Sequence, residues 1–256
     1  MPNRSSSFYD KLSDLNDSLY TIKDQYDGWQ VLDKYTDKTG VYIVVFDIGK
    51  GETLFAIKGT DAKASVNGIR DGKADYALKN NHIPAQYYHA AIYYKQIKSK
   101  YKTIIFTGYS LGGSIAQMLG NEFGNETITF EAYGTGKMVS PKHKDKIINF
   151  GNIYDAVFME EPNEHIGEVY LIPVKPIIKT RSLETHLPFK HGKPSQGELC
   201  KTYLMPNKEY FEQQKNMYKK YLKDGIVNTK KDLSNFKKQV TAHVKDNLKS
   251  LIHHTE

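Results

Sequence analysis

The sequence predicts an α/β protein: a mostly parallel central sheet flanked by helices, followed by a basic helical extension. Three observations carry this. Short β-rich runs alternate with helical patterns from residue 41 to about residue 172, the order that builds a sheet with parallel members. One of those runs leads directly through a glycine-flanked serine into a helix. From residue 206 the strand signals stop and two lysine-rich amphipathic stretches follow. The chain therefore divides into a domain over 1–205 and an extension over 206–256.

The elements follow in order. Residues 7–19 set Phe8, Leu12, Leu15 and Leu19 three or four apart, one face of an amphipathic helix. Residues 41–46 are an unbroken apolar, β-rich run, read as a strand. A Gly49-Lys50-Gly51 turn leads to a second strand over 53–57. Residues 61–84 are polar, with Val66, Ile69 and Leu78 as aliphatic anchors, and Pro84 suits the first position of a helix to about residue 100. A third strand over 103–107 runs into a helix over 113–123, and further strands are predicted at 127–130, 147–150 and 169–172. In the tail, helices over 210–222 and 229–252 are separated by Asp224-Gly225. The second opens on a Thr229–Asp232 capping pattern and lines up Leu233, Phe236, Val240, Val244, Leu248 and Leu251.

Composition sets outer bounds. A chain of 256 residues, 39% hydrophobic and 25% charged, has the material for a real core and is neither disordered nor membrane-embedded. Its longest apolar run is six residues, at 41–46, against the roughly 20 needed to span a bilayer. One cysteine, Cys200, forms no intramolecular disulfide. With no signal-peptide pattern near Met1, the expected location is the cytoplasm, or outside it by export without a cleavable signal. Net charge is +7, yet only Arg4, Arg70 and Arg181 are arginines, so no nucleic-acid partner is predicted. Residues 206–256 hold 11 lysines against six acidic residues. That stretch is a candidate for an anionic membrane surface; packing on the domain or docking a partner would use the same pattern.

The chemistry-bearing signal is Gly108-Tyr109-Ser110-Leu111-Gly112, a G-x-S-x-G sequence between a strand and a helix. Such a turn projects the serine hydroxyl from the sheet, and the helix N-terminus directs free N–H groups at developing negative charge. A serine nucleophile needs a base, and the base an orienting carboxylate. In chain order Ser, acid, His, the aspartates available are Asp145 and Asp155. Asp145 precedes its strand, at the wrong end of the sheet, whereas Asp155 follows it, where active-site loops gather. Among the histidines, His143 breaks the order and His165 lies only ten residues past Asp155, leaving His186 and His191 after the last predicted strand.

Ile57-Lys58-Gly59-Thr60-Asp61, followed about fifty residues on by Thr107-Gly108-Tyr109-Ser110-Leu111-Gly112-Gly113, resembles the class 3 (fungal-type) lipases, and more closely their bacterial lipase-like branch. Ile83-Pro84-Ala85-Gln86, the Asn152–Val157 stretch around Asp155, and His186-Leu187-Pro188-Phe189 are similar to the same branch, so the resemblance spans about residues 29–189. It implies an α/β-hydrolase fold and carboxylic-ester hydrolysis through an acyl-enzyme, with no metal or cofactor. Residue by residue, it implies Ser110 as nucleophile, Asp155 as orienter and His186, ahead of His191, as base. The oxyanion hole would be the backbone N–H groups of Thr60 and Leu111.

One departure bears on substrate. The segment after the Gly-Thr turn is a lid in lipases of this type and is apolar where it meets lipid, whereas residues 61–81 here carry Lys63, Arg70, Lys73 and Lys79 among aspartates. The expectation is therefore a serine hydrolase of lipid esters, with phospholipids or lysophospholipids ahead of bulk triglyceride. The alternatives are an esterase or thioesterase on small soluble acyl compounds, or a silent hydrolase-fold binding module. The single tryptophan, Trp29, is expected in the core.

Overall fold

The computed structural model describes residues 4–59, 77–152, 155, 157–158, 164–172 and 198–200. Thr60, His186, His191, most of the 61–81 segment and the 206–256 extension lie outside the described residues.

Nine strands form one sheet in simple sequence order: β1 (Gln25–Tyr26), β2 (Trp29–Thr36), β3 (Tyr42–Gly49), β4 (Glu52–Ile57), β5 (Thr103–Tyr109), β6 (Thr127–Phe130), β7 (Ile147–Asn152), β8 (Glu168–Ile172) and β9 (Glu198–Cys200). The first four pair antiparallel, β4 to β8 are parallel neighbours, and β9 returns antiparallel. The connection from β4 to β5 contains α2 (Ala85–Ile97), and that from β5 to β6 is α3 (Leu111–Phe123). Ahead of the sheet lies α1 (Ser6–Ser18), whose N-cap Ser5 accepts the Phe8 N–H.

Period-two alternation along the strands divides the core. Ile43, Val45, Phe55, Ile57, Ile104 and Phe106 face α2 and α3, while Val44, Phe46, Leu54, Ala56 and Ile105 face Leu12, Leu15 and Leu19 of α1. Both faces of β3 and β4 are thus covered, which is why residues 41–46 are uniformly apolar. Trp29 is buried against α1, 5.8 Å from the Phe8 ring. The β3–β4 hairpin turns through Gly49, Lys50 and Gly51, all at positive φ.

Several details differ from the sequence expectation, strands β1 and β9 and the helix start at Leu111 among them. Pro84 caps α2 from one position before the helix, with extended ψ of 150°. The helix ends at Ile97 in a short 3-10 turn over Lys98–Lys100. Strand β2 was not expected at all: in Trp-Gln-Val-Leu-Asp-Lys-Tyr-Thr only Trp29 is buried, so its polar exposed face hides the strand signal.

Arg4 fixes α1 to one end of the sheet. Its guanidinium donates to Glu52 at the start of β4 and to Glu126 just before β6. Near the other end of α1, the Asn16 side-chain amide donates to Thr107 Oγ1 at 3.0 Å. The helix therefore runs the length of β5 and ends near the carboxyl ends of the parallel strands.

Candidate active site

Ser110 joins β5 to α3 with φ 54° and ψ −125°, a conformation that L side chains rarely adopt. Its surroundings impose it. A Cβ on Gly108 would lie 2.3 Å from the Gly112 carbonyl oxygen, and one on Gly112 would lie 2.2 Å from that of Ile57. Strand and helix backbones therefore pass at a separation only glycine permits. The Ser110 N–H donates to Phe130 O at 2.9 Å, and the Ser114 N–H closes the first helical turn on Ser110 O at 3.0 Å. The predicted oxyanion donor Leu111 is the first residue of α3, among the helix N–H groups that have no intrahelical acceptor. Gly59 abuts the elbow: a Cβ there would stand 2.6 Å from Tyr109 O and 3.3 Å from Ser110 Cβ. The other predicted donor, Thr60, is the next residue in sequence and lies outside the described residues.

Asp155 follows β7 at the same end of the sheet, fully buried. Its N–H donates to Asn152 O at 3.0 Å, and its Oδ1 accepts the Phe158 N–H at 2.7 Å. Asp145 sits in the 3-10 turn Lys144–Lys146 that leads into β7, at the opposite end. Ser110 and Asp155 thus stand at the carboxyl ends of β5 and β7, with β6 between them. His186 and His191 lie outside the described residues.

The strand between carries a residue that sequence reasoning missed. Glu131 directly follows β6, at φ 47° and fully buried. Both of its carboxyl oxygens accept the Asn152 N–H, at 2.9 and 3.0 Å, while its own N–H donates to Phe150 O at 2.8 Å. Burial foremost, then the charge of Asp155 and more weakly that of Asp17, pushes its carboxyl well above the ordinary range, against the pull of the Asn152 N–H. Glu131 and Asp155 are thus two carboxyls sharing one buried site. The signal was available, since Glu131 follows a Thr-Ile-Thr-Phe strand just as Asp155 follows β7; weighing aspartates alone passed it over. Tyr109 shares this environment, its hydroxyl held protonated by burial and by Glu131, Asp155 and Asp17.

His165, set aside because it lies only ten residues past Asp155, is also buried, and burial lowers it to about 4 despite a hydrogen bond to Phe158 O. Among the described residues no group of His, Cys, Asp and Glu has the arrangement to hold a metal ion.

No family model matches the chain. A 91-residue stretch is 33% identical to a Meyerozyma guilliermondii protein named "Putative lipase ATG15", covering 29% of this chain and 16% of that one. A Candida glabrata protein of the same name is 36% identical over 87 residues, covering 29% and 17%. The chain thus spans about a sixth of the length of the curated relatives it matches. These relatives are fungal and do not bear out the bacterial branch expected from the sequence. Among solved structures, lipase II from Rhizopus niveus aligns with a TM-score of 0.46 at 13% identity, over 79% of this chain and 85% of that one. The Rhizomucor miehei lipase propeptide complex aligns at 0.40 and 14%, over 65% and 67%. The sheet and elbow of this chain are those of an α/β-hydrolase, and in sequence it is similar to fungal lipases over the stretch matched.

Proposed function

We propose that this chain is a serine carboxylic-ester hydrolase of lipase type. The observation that carries the reading is Ser110 itself: a non-glycine residue held at φ 54° between backbones that only glycines allow, at a helix N-terminus. Such strain persists where the surrounding fold over-determines it, and presenting a serine nucleophile at a strand–helix turn is the known use. The lipase names of the yeast relatives support the reaction class.

In this reading the Ser110 hydroxyl attacks the ester carbonyl as His186 takes its proton. Asp155, fixed by the Phe158 N–H, orients the imidazole and stabilises the imidazolium. The tetrahedral oxyanion is bound by the N–H groups of Leu111 and Thr60, each such donor contributing about 3 kcal/mol to the transition state in comparable enzymes. Collapse expels the alcohol, protonated by His186, and leaves an acyl-serine. Water activated by the same histidine then releases the acid.

Phospholipid or lysophospholipid is the substrate class we favour, supported by the polar 61–81 segment and the 11 lysines of 206–256. The same lysines support docking of the extension on an anionic bilayer. The test is fatty-acid release from phosphatidylglycerol vesicles and triolein emulsions, by the full chain and by Ser110→Ala, His186→Ala and His191→Ala variants. Release from vesicles that is lost in Ser110→Ala and His186→Ala but kept in His191→Ala is expected. Turnover of triolein alone would overturn the substrate class, and loss in His191→Ala with His186→Ala active would reassign the base. Co-sedimentation with phosphatidylglycerol vesicles that is unchanged on removing 206–256 would overturn the membrane role.

A further inference from the structure

The turn carrying Asp155 is clamped from behind by a buried polar core. The Phe158 peptide faces both ways: its N–H donates to Asp155 Oδ1 at 2.7 Å, and its carbonyl lies 3.0 Å from His165 Nε2. A carbonyl only accepts, so Nε2 carries the proton. Nδ1 is then the acceptor, and the Gln117 amide stands 3.4 Å away to donate to it. Burial keeps the ring neutral, which maintains this single tautomer. The Phe158 ring is held between the His165 ring, stacked at 4.1 Å and 26°, and the backbone of Gly151, where a Cβ would stand 2.3 Å from it.

The histidine is itself immobile. Gln117, on α3 two turns beyond Ser110, accepts the Ile166 N–H at 3.2 Å and donates to Asn149 Oδ1 at 2.7 Å. Asn149, on β7, donates in turn to Ile166 O at 2.9 Å. The backbone next to His165 is therefore tied both to the elbow helix and to the strand that delivers the acid. An apolar side chain would fill this space without the desolvation penalty of an imidazole; the ring instead uses one nitrogen on the acid turn and the other on α3.

We propose that His165 is a positioning residue for Asp155, setting the carboxylate relative to Ser110 by donating Nε2–H to the Phe158 carbonyl. The proposal rests on the reading of Asp155 as the acid of the triad. The test is kcat and KM of the full chain on 4-nitrophenyl butyrate. His165→Phe keeps the ring and its stack on Phe158 but removes the donor, while His165→Gln returns an N–H near the Nε2 position. The expected result is a kcat lowered about 10- to 100-fold at unchanged KM in His165→Phe, the size of effect a misplaced catalytic group produces, with most of it recovered in His165→Gln. Because His165 acts through Asp155, adding His165→Phe to Asp155→Asn should change kcat less than about twofold. A His165→Phe enzyme with wild-type kcat, or one whose loss is repeated in full on the Asp155→Asn background, overturns the positioning role while leaving the triad standing. Wild-type kcat in Asp155→Asn alone overturns the acid assignment instead.

Discussion

The Ser110 N–H donates to the Phe130 carbonyl at 2.9 Å, tying the strained elbow residue to the end of β6. Two substitutions separate strain from chemistry. Ser110→Ala removes the hydroxyl but keeps a Cβ at φ 54°, so activity is lost with stability little changed. Ser110→Gly also abolishes activity but relieves a conformation worth about 1–3 kcal/mol, partly offset by the roughly 0.5–1 kcal/mol entropy of glycine. Chemical denaturation should place Ser110→Gly about 1 kcal/mol above Ser110→Ala.

The elbow should be intolerant of the smallest side chain. A Cβ on Gly112 would lie 2.2 Å from Ile57 O and 2.5 Å from Lys58 O, both backbone atoms that no side-chain rotation can clear. Gly112→Ala should therefore lose about 3 kcal/mol or more, measured as a drop in the denaturant midpoint or as failure to fold. By the same contacts Gly112 holds β4 against the start of α3.

Glu131 gives a pH-dependent prediction. Its carboxyl holds a proton in the fold well above its ordinary value of 4.5, so above that value the folded state binds more protons than the unfolded chain, and stability falls as pH rises. Glutamine does not titrate. Glu131→Gln should thus be more stable than the wild type at pH 7–8, and the gap should narrow toward pH 4. Thermal melts across that range check it; a gap of opposite slope would mean that Glu131 is ionised in the fold.

Arg4 supplies the opposite sign at the far end of the sheet. Its hydrogen bond lowers the Glu52 carboxyl below its ordinary 4.5, and its side chain is only 12% exposed. Arg4→Ala should cost about 2 kcal/mol near neutral pH, by leaving Glu52 and Glu126 together without their cation. The Glu52 contribution is present above 4.5 and lost as pH falls through the lowered value, so variant and wild type should converge in acid.

How legible all this was in the sequence depended on whether the signal was local. Strands with both faces buried, such as β3, announce themselves by unbroken apolar runs, and the elbow by glycines two residues either side of its serine, although the backbone that Gly112 clears belongs to Ile57 and Lys58. Strand β2 was hidden because, next to the short edge strand β1 and with one wet face, it carries Asp33 and Lys34 among its apolar positions. Asp155 was singled out because the rule applied is positional, just after a strand. Glu131 obeys that rule too, but its role emerges only when β6 and β7 lie side by side and the Asn152 N–H reaches its carboxyl. His165 was invisible as a support because its partners, Gln117 and Phe158, meet it only through the fold.

Everything proposed for the site depends on Ser110 being an activated nucleophile. The direct measurement is reaction of the purified full chain with a fluorophosphonate probe, followed by mass-spectrometric location of the adduct. Stoichiometric modification on Ser110 is expected, abolished in Ser110→Ala and slowed by a large factor in Asp155→Asn, the loss of such an orienter lowering catalysis about 10⁴-fold in a comparable triad. A folded protein that stays unmodified, or an adduct on another residue that survives Ser110→Ala, would contradict it.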